Sequence, residues 1–376
     1  MMYDYAYPCT IVLSTIISVS SLFYICMKQS QSKTITIWMK LLRKFTFPSM
    51  PYKVPETNVF DYLLPPFPNT WYPVCMYREI IPGKIKPIRI AGCDLIIYLD
   101  NQSQVQIQER YCPHMGVDLR YGSIQKDCII CPFHHHCISP KKPNLTIGQT
   151  KKTIYVPEVV CGIVFIWIGS FINEHPEFSI RSLFKDLYDD TVEPSLYQFP
   201  FLERKVGGHL VDYAEHLLDI THAPFTHGVK LEPIEETLIL KPHSFIVQFS
   251  IKHTSFRPKF TYMTPTFGYV DYGFNMKTFM MFVVEDVGKI RMIQLPIISN
   301  SWFHTYQSFL AAFYTHFDFT EEAAFFSTKR HVNRCLTKSE SLMTNFREWF
   351  TNAYYRADDL KRFEEKRSLM KTIHDW

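Results

Sequence analysis

Residues 112–134 constrain this chain more than any other stretch. They read Cys112-Pro113-His114, then sixteen residues, then Cys131-Pro132-Phe133-His134. Thiolate and imidazole are ligands of soft and borderline metals, and each close Cys/His pair fits on one tight loop. Two such loops brought together make a four-ligand site. A structural zinc ion could use the same four side chains. Cys128-x-x-Cys131 is alternatively a redox pair or half of a zinc knuckle. It lacks a second CxxC, and Cys128 is expected to pack as a small apolar residue on a strand. His135 and His136 extend the histidine run; only His134 is in register, so the other two are expected as surface neighbours.

The chain is long enough, at 376 residues, for two ordinary domains. Its 47% hydrophobic and 16% aromatic content can fill a sizeable core and line an apolar pocket. A net charge of +4 is too slight to argue for nucleic acid. Ten scattered cysteines do not read as a secreted disulfide framework, and a reduced compartment is expected.

Residues 5–27 carry no charge and are long enough to span a bilayer, although Thr and Ser dilute them. Only Asp4 precedes this run, whereas Lys28, Lys33, Lys40, Arg43 and Lys44 follow it. By the positive-inside rule the N-terminus faces outward or lumenal and the remainder is cytosolic. In 34–47, Trp38, Leu41, Leu42 and Phe45 share one helical face. Such a segment suits either the headgroup boundary or an ordinary domain surface. Prolines 48, 51, 55, 65, 66 and 68 then mark a linker.

From Trp71 to Gly169 the pattern is short strands: Ile85–Ile90, Leu95–Leu99, Val105–Gln108 and an apolar run at 162–169. Pro87 argues for an edge position. Each Cys/His pair follows a strand, so two hairpin tips are expected to clasp the metal. Asn101 and Asn144 begin Asn-x-Ser/Thr sequons that cytosolic placement leaves unmodified. A second constellation follows at Asp219-x-x-His222-x-x-x-x-His227. On a helix ending near Pro224, Asp219 and His222 share a face and the kink returns His227 toward it. Two imidazoles and a carboxylate leave open positions on iron(II), as in non-haem oxygenases.

Together these motifs resemble the terminal oxygenase of a Rieske-type non-haem iron system over roughly residues 65–376. In a Rieske centre two Cys hold one iron and two His the other; the resemblance assigns Cys112, His114, Cys131 and His134 to the [2Fe–2S] cluster. Electron-transfer Rieske proteins carry an extra, disulfide-forming Cys near each pair; Val117 and Phe133 stand there, which points to the oxygenase type. The resemblance further implies His222 and His227 as ligands of a mononuclear Fe(2+). Glu322 is its acidic ligand, with Glu321 and Asp318 as alternatives. Asp219 bridges to the cluster of a neighbouring subunit in a homotrimer. His135-His136 replaces the usual Gly-Trp, and His216 replaces an Asn, as a partner of the ligands or a spare one.

The expected architecture is α+β: an N-terminal membrane helix, an all-β Rieske domain, then a helix-grip catalytic domain with an antiparallel sheet and covering helices. The boundaries are a membrane anchor and basic segment at 1–47, a linker at 48–67, the Rieske domain at 68–175 and the catalytic domain at 176–376. No Gly-rich dinucleotide fingerprint is present, so electrons from NAD(P)H must arrive through a separate reductase. The expected reaction uses O2 to desaturate or hydroxylate a lipophilic substrate. The opening at 65–72, with Tyr155, Glu158, Gly162 and Trp167, is similar to the sterol-acting branch, cholesterol 7-desaturases and ketosteroid hydroxylases. The expected site of action is the endoplasmic reticulum membrane, with the catalytic part cytosolic. A chlorophyll-pathway oxygenase, or a non-catalytic Rieske electron carrier, is the alternative.

Overall fold

The run Asp94-Leu95-Ile96-Ile97-Tyr98-Leu99 is apolar on both faces, and the computed structural model gives the reason. It belongs to β3 (Cys93–Leu99), flanked in an antiparallel sheet by β2 (Lys86–Ile90) and β4 (Val105–Glu109). Alternate side chains of a strand point to opposite faces. Leu95, Ile97 and Leu99 enter the main core, while Ile96 and Tyr98 enter a smaller one with Cys112, Leu119, Ile129, Cys131 and Ile138. At about 2 kcal/mol for each large apolar side chain removed from water, that small core suffices to fix the two loops above it. Pro87 lies on β2, an edge of its sheet, where a missing N–H costs no ladder bond.

The structure describes residues 62–126, 128–140, 155–170, 175–185, 202–216, 218–219, 239–250, 257–273, 277–296, 322, 325–326, 329 and 341–374. All belong to one compact unit. The expected membrane segment at 5–27, the amphipathic segment at 34–47, most of the linker and the Asn144 sequon lie outside the described residues. Among the described residues no helix is long and apolar enough to cross a membrane.

Two further small sheets lie in the N-terminal part among the described residues. One has the order β1 (Thr70–Met76), β9 (Ile163–Ile168), β8 (Pro157–Val160); the other is β5 (Ser123–Gln125), β6 (Cys128–Ile130), β7 (Cys137–Ile138). The apolar run expected as a buried strand is β9, with Ile163 to Trp167 all buried.

The C-terminal part is a seven-stranded sheet, antiparallel throughout. Its spatial order runs from β10 (Leu202–Val206) through β16 (Lys289–Pro296), β15 (Lys277–Asp286), β14 (Phe267–Asp271), β13 (Lys259–Thr264) and β12 (Phe245–Gln248) to β11 (Ile239–Leu240). Among the described residues four helices accompany it: α1 (Ile180–Phe184), α2 (Leu210–His216), α3 (Ser341–Tyr354) and α4 (Ala357–His374). α3 covers one end of the sheet, where Phe346 meets Phe245 edge-on at 4.9 Å and the Trp349 indole N–H donates to the Lys241 carbonyl at 2.9 Å. This agrees with the expected antiparallel sheet and covering helix.

The two parts are joined tightly. The Ala91 N–H donates to the Val284 carbonyl at 2.8 Å, Arg89 pairs with Asp286 at 3.1 Å, and the Thr266 hydroxyl donates to the Trp71 carbonyl. Phe165 of β9 packs on Phe267 of β14 at 5.0 Å.

Candidate metal centre and acidic helix

Loop 112–117 leaves β4 and loop 131–136 leaves β6 on one backbone plan. In the first, the Cys112 N–H donates to the Val117 carbonyl and the Gly116 N–H to the Cys112 carbonyl, both at 2.8 Å. In the second, the Cys131 N–H donates to the His136 carbonyl at 2.9 Å and the His135 N–H to the Cys131 carbonyl at 3.0 Å. The fifth residue of each loop must turn left-handed: Gly116 has φ +69° and His135 has φ +55°. Glycine adopts that region freely, whereas a side chain resists it by roughly 1 kcal/mol.

Cys112 and Cys131 are buried at the floor of the loops, while His114 and His134 are exposed above them. The two Nδ1 atoms face each other 3.2 Å apart. Burial pushes the Cys112 thiol up, and the adjoining Cys131 thiol adds to that; backbone N–H groups of His114 and Met115 pull it back. Those N–H groups are the donors that a metal-bound thiolate would use. Buried sulfur on one side and converging imidazole nitrogens on the other fit a cluster with one iron on thiolates and the other on histidines. His136 stands closer than expected for a surface neighbour. Its ring lies 5.1 Å from that of His114, and its ligating atom is within 4.8 Å of those of His114 and His134.

The bases of the two loops are closed differently. At loop 112–117, Arg110 Nε and Nη2 both donate to Asp118 Oδ2, at 2.9 and 2.6 Å. Asp118 Oδ1 accepts from the Arg120 N–H at 3.0 Å, capping the turn that follows. Burial raises the Asp118 carboxyl, but the Arg110 and Arg120 hydrogen bonds and charges outweigh it and hold the group below the usual carboxylate range. At loop 131–136 the closure is covalent. Cys128, buried on β6, is disulfide-bonded to exposed Cys137 on β7, with 5.6 Å between their Cα atoms. The expectation for Cys128 is corrected accordingly: it lies buried on a strand but as half of a crosslink. Its strand position brings it diagonally opposite Cys137, because Ile130 pairs with Cys137 across the ladder.

The second constellation starts on α2, whose residues Leu210 to Glu215 are all buried. Two of them are acids, and buried carboxylates need partners. Asp212 Oδ1 meets Lys329 Nζ at 2.7 Å, and Glu215 Oε2 accepts from Arg347 Nη2 at 2.9 Å. Arg347 lies on α3, so these pairs clamp α2 between the segment near Lys329 and α3. Close packing continues at Gly208 (φ +105°), where an added Cβ would sit 3.0 Å from the Phe326 carbonyl oxygen. Beyond α2, the Asp219 N–H still donates to the Glu215 carbonyl at 3.0 Å, so helical hydrogen bonding reaches the expected bridging acid.

Glu322 is 3% exposed, and its Oε2 lies 2.6 Å from His216 Nε2. The structure thus brings this candidate ligand against His216, the last residue of the helix that precedes Asp219. His222 and His227, and the alternative acids Glu321 and Asp318, lie outside the described residues. Sequence reasoning missed Arg110, Asp118 and the partner of Cys128. The Asp before Leu119-Arg120-Tyr121 was the one local cue, as an N-cap.

Comparison with known proteins accords with this geometry. Residues 70–154 match the model of the Rieske [2Fe-2S] domain. A cholesterol 7-desaturase of Drosophila melanogaster is 33% identical over 124 residues, which cover 30% of this chain and 29% of that protein. The oxygenase component of a 3-ketosteroid-9-alpha-monooxygenase of Rhodococcus rhodochrous is 35% identical over 172 residues, 43% of this chain and 42% of the relative. The matches therefore span well under half the length of these relatives. Among solved structures, the oxygenase of carbazole 1,9a-dioxygenase in its reduced complex with ferredoxin superposes with a TM-score of 0.54 at 17% identity. That match covers 74% of this chain and 87% of the other. Caffeine-bound NdmA of Pseudomonas putida gives 0.54 at 14% identity, over 75% and 89%. Residues 70–154 therefore form a Rieske [2Fe-2S] domain, and its two loops carry Cys112, His114, Cys131 and His134. Beyond that domain, the chain shares the fold of the solved oxygenases named above.

Proposed function

We propose that this chain is the oxygenase of an electron-fed system that uses O2 to desaturate or hydroxylate a sterol-like lipid. The observation that carries this reading is the pairing of two sites in one chain. One is a cradle of Cys112, Cys131, His114 and His134; the other is a buried acid, Glu322, held against the helix that leads to Asp219, His222 and His227.

When bound, the [2Fe–2S] cluster supplies single-electron transfer and the mononuclear iron supplies dioxygen activation. The protein's own groups set where these happen. Cys112 and Cys131 would hold the inner iron and His114 and His134 the outer one. Both imidazoles are exposed and so stand open to a partner, outside the interior of their own subunit. That favours a homotrimer in which Asp219 of one copy meets the cluster of the next, and a separate reductase that delivers electrons from NAD(P)H. His222, His227 and Glu322 would hold the mononuclear iron, with His216 Nε2 standing 2.6 Å from Glu322 Oε2 beside that site.

Support for a sterol comes from the local identity to sterol- and steroid-acting oxygenases, and from the aromatic richness of the chain. A membrane anchor at 5–27, with the catalytic part on the cytosolic face of the endoplasmic reticulum, would place the pocket beside such a substrate. The test is a sterol panel supplied to membranes containing the protein and a general reductase, with His222→Ala alongside. The variant is expected to retain the visible cluster absorbance and lose all turnover. Full turnover by His222→Ala would overturn the role given to His222, and a wild-type cluster without mononuclear iron or turnover would leave the electron-carrier reading in its place.

A further inference from the structure

We propose that Cys128 and Cys137 form a thiol-modification site through which small thiols and disulfides control how firmly the second cluster loop holds its metal. The proposal rests on the Rieske reading of Cys131 and His134. Both ligands lie inside the nine-residue separation that the crosslink spans. The hairpin beneath them is slight, since β6 has three residues and β7 two. Only two register pairs join these strands, Ile129 with Ile138 and Ile130 with Cys137. Loop 112–117, by contrast, is closed by the Arg110–Asp118 ion pair, which redox conditions leave untouched. The two ligand loops therefore differ in what can open them.

Access is built in. Cys137 is exposed and can be attacked by an incoming thiolate, while Cys128 is buried and is the sulfur displaced. The Cα separation of 5.6 Å lies in the ordinary range for a disulfide, so the strand pairing itself places the two sulfurs to form the bond. The reaction is thiol–disulfide exchange. A glutathione thiolate attacks Cys137 Sγ, the Cys128–Cys137 bond breaks and a mixed disulfide forms. A second glutathione then resolves the mixed disulfide, leaving two protein thiols and one oxidised glutathione. Two electrons and two protons pass from the glutathione pair to the protein sulfurs.

The experiment uses the full-length holoprotein, equilibrated with either reduced or oxidised glutathione and then challenged with an iron chelator. Alkylation and peptide mass read the state of Cys128 and Cys137, and the decay of visible absorbance reads cluster loss. The expected result is a 128–137 crosslink in the oxidised sample only, with colour lost about tenfold faster from the reduced one, as release of a short closed loop implies. Cys137→Ser is expected to lose colour at the fast rate in both buffers, which separates the crosslink from any direct action of glutathione on the cluster. Equal rates for the two wild-type samples, or free thiols at both positions after oxidised glutathione, would overturn the proposal while leaving the Rieske reading intact. A fresh protein without colour would sink the Rieske reading itself, and the proposal with it.

Discussion

Loop 112–117 and loop 131–136 wind around the same pair of backbone hydrogen bonds, yet opposite kinds of chemistry close their bases. The first is held by a carboxylate between two guanidinium groups, the second by a covalent bond between strands. The fifth position is glycine in one and histidine in the other, although both backbones turn left-handed there. The difference teaches that ligand geometry in this site is a property of the turn. What surrounds the turn decides only how much it costs to keep it.

The largest test of that view is Asp118→Ala. It removes the cap on the Arg120 N–H, worth about 1 kcal/mol, and strands a half-buried Arg110 for about another 1 kcal/mol. A loss of about 2 kcal/mol in denaturant unfolding is expected, with Asp118→Asn losing about half as much because its amide oxygen still caps. A loss confined to a few tenths would mean that the backbone bonds alone hold loop 112–117.

A smaller and opposite pair of effects comes from the fifth positions. An added Cβ at Gly116 meets nothing within 4 Å, so Gly116→Ala carries a conformational cost alone, about 1 kcal/mol. His135→Gly is expected to gain a similar amount, about 1 kcal/mol, by relieving the left-handed strain. Melting temperatures of the two variants should move in opposite directions. A shared direction would show that the loops are not equivalent after all.

The smallest effect is on acid stability. The Asp118 carboxyl is held below its ordinary range in the folded protein, so it binds fewer protons there than in the unfolded chain. Its contribution is full above the unfolded value of about 4 and fades as pH falls through the lowered folded one. Asp118→Asn should flatten that acid limb of a stability–pH curve. An unchanged limb would assign it to other carboxylates.

What was legible in the chain was local. The Cys/His pairs, the strands around them and the Asp219 motif are written in neighbouring residues. So is the edge position of β2, which Pro87 announces. What stayed hidden joins residues whose proximity only the fold creates. Arg110 finds Asp118 across a turn, Cys128 finds Cys137 through a diagonal of the ladder, and His216 finds Glu322 from a separate helical segment. β13 and β14 were overlooked because Pro265 and two threonines interrupt an otherwise apolar stretch. β10 was missed because Glu203, Arg204 and Lys205 mask it; as an edge strand it can carry charge.

The two-faced character of β3 has a consequence for how this molecule can evolve. Leu95 and Ile97 answer to the large interior while Ile96 and Tyr98 answer to the floor beneath the cysteines, so adjacent codons are selected for different tasks. A bulkier residue on either side would push the strand into its other client. Drift in the half built on the seven-stranded sheet is thereby restrained by the tip that carries the cysteines, and the tip by that half.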